Sequence, residues 1–154
     1  RTAIWPEGIV GSIAHAGSLC VVAVARSEDV RSIGVDVEPC EALNEELTAV
    51  VCSPDELIGV VDRGLSATKI FCIKEAVYKS WYPLTRVPLE FNDVAVVLDE
   101  MRERFTAKVA HWANPIEITG RILVRDGWVL ASATISTETA RERFCRSAAG
   151  GGRS

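Results

Sequence analysis

The stretch Ile33-Gly34-Val35-Asp36-Val37-Glu38-Pro39 most constrains what this chain can become. Ile33, Val35 and Val37 alternate with Gly34, Asp36 and Glu38, the two-residue period of a β-strand that Pro39 then ends. Such a strand sends its aliphatic row into a core. It places Asp36 and Glu38 together on the opposite face, about 6.6 Å apart along the backbone. Two carboxylates that close repel by roughly 2–3 kcal/mol at an effective dielectric of 20. A cation between them removes the repulsion, and Mg²⁺ is commonly held by one or two carboxylates together with substrate phosphate. A lone D-x-E is more simply read as two solvated acids on an exposed face. The rest of the chain decides between the two.

Two segments precede the acidic strand. Gly8–His15 is a glycine-bounded turn leading into a short apolar strand, and Leu19–Ala25 is a near-continuous aliphatic run that reads as a buried strand. Beyond Pro39, the spacing of Leu43, Leu47, Val50 and Val51 predicts an amphipathic helix over 44–61. Ser53-Pro54-Asp55-Glu56 restarts it with a capping box, and Asp62-Arg63-Gly64 stops it. A second helix is predicted from Ser66 to Trp81 or Tyr82, with Pro83 opposing continuation and Ile70, Ile73, Val77 and Trp81 as its buried stripe. After Pro88 the period returns to two. Val94–Leu98, Phe105–Val109, Ile116–Val124 and Trp128–Ile135 read as strands, the last two joined by a tight turn at Asp126-Gly127. Strands, then helices, then strands give an α+β fold. Residues 1–137 form one domain, and the tail over 138–154 is expected to be frayed.

Glu75 and Lys79 stand four residues apart on the second helix, beside its buried stripe and not at its far pole. A third acid brought to Asp36 and Glu38 completes a Mg²⁺ site, and Lys74 and Lys79 can neutralise phosphate oxygens. His15, at a strand end within a Gly- and Ser-containing segment, suits a phosphate contact as well as a structural hydrogen bond. His111 has no supporting neighbours and reads as structural. With 48% hydrophobic and 25% charged residues, 154 residues support a single core. The net charge of −4 speaks against a dedicated nucleic-acid binder. Five cysteines without C-x-x-C spacing read as reduced thiols, which points to a cytoplasmic protein. No apolar run reaches membrane-spanning length.

Trp5-Pro6-x-Gly8-x-x-Gly11-Ser12-Ile13-x-His15, then Gly34–Glu38, then Phe71-x-x-Lys74-Glu75-Ala76-x-Tyr78-Lys79 resemble the three successive signatures of 4′-phosphopantetheinyl transferases. The Trp-Pro lead-in, Ser53–Glu56 and Trp81–Thr85 resemble the branch that activates siderophore, polyketide and nonribosomal-peptide synthases. The resemblance runs from Trp5 to about Ile135. It implies the family's fold of antiparallel sheets packed with helices in two pseudo-twofold halves, with most of the first half absent from this chain. It further implies transfer of the phosphopantetheine arm of coenzyme A to a serine of an acyl or peptidyl carrier protein, releasing 3′,5′-ADP. By position, Asp36, Glu38 and Glu75 are implied to hold Mg²⁺, and Lys79, assisted by Lys74, to contact the pyrophosphate. Ser12 and His15 are implied to lie near coenzyme A phosphates, and Glu75 to be a candidate general base. Ala14 departs from the pattern, since many relatives carry a hydroxyl residue before the histidine. The implied partners are coenzyme A and a carrier protein, with no nucleic acid and no membrane, in a monomer or a dimer.

Two other readings compete. One is a metal-dependent nuclease, which commonly places its E-x-K on a strand, whereas Glu75 and Lys79 have helical spacing. The other is a non-catalytic binder of coenzyme A or carrier domains.

Overall fold

The computed structural model describes residues 3–110 and 115–144, so His111 lies outside it. Among the described residues the order is β1 (Ile9–Ala16), β2 (Leu19–Arg26), β3 (Val30–Pro39), α1 (Glu45–Val51), α2 (Arg63–Thr85), β4 (Val94–Asp99), β5 (Arg104–Val109), β6 (Ile116–Arg125), β7 (Trp128–Ser136) and α3 (Thr137–Phe144). The architecture is the expected α+β. β1 and β2 pair as a separate antiparallel hairpin, while the other five strands form one antiparallel sheet in the order β3-β7-β6-β5-β4. Asp126 and Gly127 both take positive φ in the turn between β6 and β7, as a two-residue hairpin loop requires.

The acidic strand is covered on both faces. Val35 and Val37 pack under the β1–β2 hairpin, against Ala14, Leu19, Val21, Trp128 and Leu130. The opposite face carries Gly34, Asp36 and Glu38, in register with Ala133, Ala131 and Val129 of β7. On that side α2 lies across the sheet, burying Ile70, Ile73, Val77 and Trp81 against Val129, Ala131, Ala133 and the inner residues of β5 and β6. The two acids are therefore not on a solvated face; they lie at the margin of the main core.

Several boundaries differ from the periodicity. α1 ends at Val51, and Pro54–Leu57 is a separate 3-10 turn, so the expected helix over 44–61 breaks in two. Asp62 does not stop a helix but starts one: its Oδ1 accepts from the Leu65 N–H at 2.9 Å, capping α2. At its other end α2 passes Pro83 and closes at Arg86, whose N–H reaches Tyr82 O at 2.9 Å. Pro83 forfeits only one bond of the last turn, which is why the helix tolerates it. Of the tail expected to be frayed, the first residues belong to α3 (Thr137–Phe144), with Ala140 buried in the main core, and 145–154 lie outside the described residues.

Candidate functional site

The site begins with the absence of a side chain. A Cβ on Gly34 would lie 1.9 Å from the Ala76 carbonyl oxygen and 2.6 Å from the Ser80 nitrogen. Gly34 thus lets the backbone of α2 rest directly on β3. Ala76 and Ser80 sit over the glycine, and the residues just before each, Glu75 and Lys79, are carried toward the acids of β3. Lys79 Nζ donates to Asp36 Oδ1 at 2.7 Å. Two residues forty-three positions apart are joined there by one close approach of helix to strand.

The charges are crowded. Asp36 is 5% exposed, and among the described residues its Oδ2 is buried without a hydrogen-bond partner. Burial, then the charge of Asp36, then that of Glu75, push the Glu38 carboxyl up to about 7, with Lys79 pulling the other way. Burial and Asp36 likewise raise Glu75 above the usual carboxylate range, again opposed by Lys79. Beneath them the fully buried Cys72 donates to Val129 O at 3.5 Å. Burial and the charges of Asp36 and Glu38 hold its thiol protonated. Cys72 carries no signal in the sequence that would place it here.

A carboxyl raised in the fold binds its proton more tightly folded than unfolded. Its contribution to stability is full below about pH 4.5 and is lost as pH rises through about 7. Glu38→Gln is therefore expected to flatten the decline in stability between pH 4.5 and 7, and to equal or exceed the parent's stability at pH 8. Denaturant titrations at half-unit pH steps check this. An unchanged slope in the variant would show that the acids are not coupled.

Lys79 also borders the larger hollow. A cavity of about 730 Å³ is lined by Trp5, Ser12, His15, Arg31, Tyr78, Lys79 and Tyr82, among others. Ser12 is bound into the scaffold, its Oγ accepting from the Val35 N–H at 3.1 Å. His15 is exposed on the cavity wall. Tyr78 and Tyr82 stack at 5.5 Å between ring centres. On the other side of Tyr78 a second hollow of about 370 Å³ is bordered by Glu75, Glu90, Leu89 and Phe91. Glu75 borders the smaller hollow and Lys79 the larger.

The expected metal set and the expected role of Lys74 fare differently. Among the described residues no three His, Cys, Asp or Glu side chains are arranged to hold a metal ion. The acids are near enough to perturb one another, but the Lys79 ammonium sits on Asp36 as the local cation. Chemically the set still suits a hard divalent ion: three carboxylates, of which Glu38 and Glu75 are raised by burial and then by the charge of Asp36. Lys74 is where the expectation is corrected. It is 3% exposed, and its Nζ donates to Val51 O at 2.8 Å, Glu56 Oε2 at 2.9 Å and Phe91 O at 3.0 Å. Three donors with three protein acceptors leave nothing for a phosphate. Glu56 in turn accepts from the N–H groups of Ser53 and Val96, both at 2.8 Å, so the capping box continues into a buried ion pair. This node ties α1, α2 and β4 together. Lys74→Met is expected to cost about 3–5 kcal/mol, because it strands a buried carboxylate. Urea unfolding measures it, and a loss under 1 kcal/mol would contradict the buried pairing.

The sequence profile of the 4′-phosphopantetheinyl transferase superfamily matches residues 32–131, which contain Asp36, Glu38, Glu75 and Lys79. This chain belongs to the 4′-phosphopantetheinyl transferase superfamily. Among similar proteins, the 4′-phosphopantetheinyl transferase Svp of Streptomyces mobaraensis is 36% identical over 68% of this chain and 45% of its own length. The 4′-phosphopantetheinyl transferase PptT of Mycobacterium tuberculosis is 31% identical over 86% of this chain and 56% of its own. Enterobactin synthase component D of Escherichia coli is 31% identical over 73% of this chain and 57% of its own. The transferase-family chain thus spans about half the length of the curated relatives it matches. Among its described residues no helix is long and apolar enough to cross a membrane.

Proposed function

We propose that the chain carries the reacting half of a 4′-phosphopantetheinyl transferase that modifies a serine of an acyl or peptidyl carrier protein, with coenzyme A as donor. The observation that carries this is the delivery of Glu75 and Lys79, from one helix, to the acids of β3, with Lys79 also bordering a cavity large enough for a nucleotide.

In the proposed reaction the carrier serine oxygen forms a bond to the phosphorus bearing the pantetheine arm. The pyrophosphate P–O bond breaks, and 3′,5′-ADP leaves with the bonding electrons. Glu75, its carboxyl raised above the usual range by burial and by Asp36, is placed to take the serine proton directly or through one water. Lys79, 30% exposed at its side chain, has one protein partner in Asp36 and borders the cavity, so it can follow the charge that develops on the pyrophosphate. Asp36, Glu38 and Glu75 are the residues that would hold Mg²⁺, which when bound supplies charge neutralisation at the diphosphate. His15 and Ser12 belong to the nucleotide end of the cavity by position. Lys74 we assign to the scaffold. Coenzyme A as donor and reduced cysteines suit the cytoplasm.

The helix through Glu75 and Lys79 counts against a nuclease, whose E-x-K usually lies on a strand. A binder without turnover is separated by one experiment. Intact-mass spectrometry of an apo carrier protein incubated with this chain, coenzyme A and Mg²⁺ is expected to show the added arm. Tight coenzyme A binding with no mass increase would favour the binder, and neither binding nor transfer would refute the assignment.

A further inference from the structure

Among the described cysteines Cys20 is the exposed one; Cys40 is half-buried, and Cys52 and Cys72 are buried. An exposed thiol carries no function by itself, but this one has a histidine for a neighbour. In the β1–β2 hairpin Cys20 pairs directly with His15. The Ser27 N–H donates to Gly8 O at 2.9 Å, which sets the phase of the ladder. Hydrogen-bonded pairs then fall at Ala14/Val21 and Ala16/Leu19, and His15/Cys20 lies between them as a non-hydrogen-bonded pair. Opposed side chains of such a pair leave the same face of the sheet, their Cβ atoms about 4.5–5.5 Å apart and toward the near end of that range. Ala14 and Val21 turn inward to the hairpin's core, so His15 and Cys20 share the outer face, where both are exposed. Among the described residues neither side chain has a hydrogen-bond or ion-pair partner.

Thiolate and imidazole together are donors for a borderline or soft divalent ion and not for Mg²⁺. A tetrahedral Zn²⁺ with bonds of about 2.3 Å to sulfur and about 2.0 Å to nitrogen holds the two donor atoms about 3.6 Å apart. Two side chains that start from opposed Cβ atoms at the cross-strand spacing span that distance without moving the backbone. The carboxylates of Asp36, Glu38 and Glu75 are oxygen donors and suit a hard ion, so the hairpin pair addresses a different class of cation.

We propose that His15 and Cys20 form a binding site for a thiophilic divalent cation, Zn²⁺ or a softer relative, with water completing the coordination. Cys20 loses its thiol proton to solvent as the sulfur–metal bond forms, and His15 donates the lone pair of a neutral imidazole. Two protein ligands make the ion exchangeable, unlike the four-ligand sites that hold structural zinc. The site stands apart from the proposed transfer chemistry, although His15 also borders the larger cavity and so places the ion at its rim.

Cd²⁺ is the probe, because a cadmium–thiolate bond adds an ultraviolet charge-transfer band that oxygen and nitrogen ligands do not. Titration of the reduced chain is expected to raise that band to saturation. Zn²⁺ is expected to compete it away, and excess Mg²⁺ to leave it in place. Cys20→Ser is expected to remove the band, and Cys40→Ser to keep it. His15→Asn is expected to keep the band but move its midpoint about tenfold or more to higher Cd²⁺, since loss of even a partner behind a ligand costs that much. Both side chains are exposed, so these variants should melt with the parent. A midpoint unchanged in His15→Asn would reduce Cys20 to a lone thiol and overturn the pair. A band that persists at parental strength in Cys20→Ser would place the metal elsewhere and overturn it too. Displacement by Mg²⁺ would overturn the assignment to a thiophilic ion.

Discussion

Gly34→Ala is expected to cost the fold about 3–5 kcal/mol, at the upper end of overpacking effects. The atoms the new methyl would meet are the Ala76 carbonyl oxygen at 1.9 Å and the Ser80 nitrogen at 2.6 Å. Both are backbone, so no change of rotamer relieves the clash. Either α2 lifts from β3 or the strand bends. For a domain of this size the loss corresponds to a fall in Tm on the order of 10 °C. Lifting α2 also separates Glu75 and Lys79 from Asp36, so Mg²⁺-dependent coenzyme A binding should fall with stability, not independently of it. Thermal unfolding followed by circular dichroism, with calorimetry on the same samples, reads both. A variant melting within 2 °C of the parent would mean that the helix does not rest on this glycine.

Asp36→Asn is expected to do the reverse: to leave the fold standing and remove the chemistry. Asparagine has the same shape, keeps an oxygen for Lys79, and relieves the repulsion that raises Glu38 and Glu75. It also withdraws the central carboxylate, whose buried Oδ2 has no partner among the described residues. Transfer is expected to fall a hundredfold or more, in the range seen when one preorganised electrostatic group is removed. The gain in coenzyme A affinity on adding Mg²⁺ should vanish as well. Calorimetry with and without the ion decides it. A variant whose affinity keeps the parent's dependence on Mg²⁺ would show that Asp36 is not a ligand. Together the two variants separate the role of the glycine, which is to bring elements together, from that of the acid, which is to act once they have met.

Much of the fold was legible because its signals are local. Alternation in Ile33–Glu38 and the Asp126-Gly127 turn each report on a few neighbouring residues, whereas Leu19–Ala25 forms the expected strand but not a buried one, since Val22 and Val24 face outward from the hairpin. The buried stripe Ile70, Ile73, Val77 and Trp81 was likewise set by helical period. The misread boundaries involve residues with two local uses. Aspartate before Arg63-Gly64 can end one helix or cap the next, and the Leu65 N–H that donates to it decides for the cap. Pro83 opposes a helix interior but is cheap in a last turn. For α3, the sequence offered few apolar residues, and burial of Ala140 against the core is a tertiary effect.

The candidate site divides the same way. By itself the sequence determined the chemical inventory: which strand bears paired acids, which helix bears a glutamate four residues before a lysine, and which glycine stands between. It could not determine partners, since a lysine's ammonium reaches several ångströms in any direction from its Cα. Adjacent lysines on one helix therefore parted: Lys79 went to Asp36, while Lys74, rotated away by five residues of helix, was consumed by Glu56 and two carbonyls. Which charges are spent on the scaffold and which are left for a ligand is settled by distances across the core, and no one-dimensional period records those.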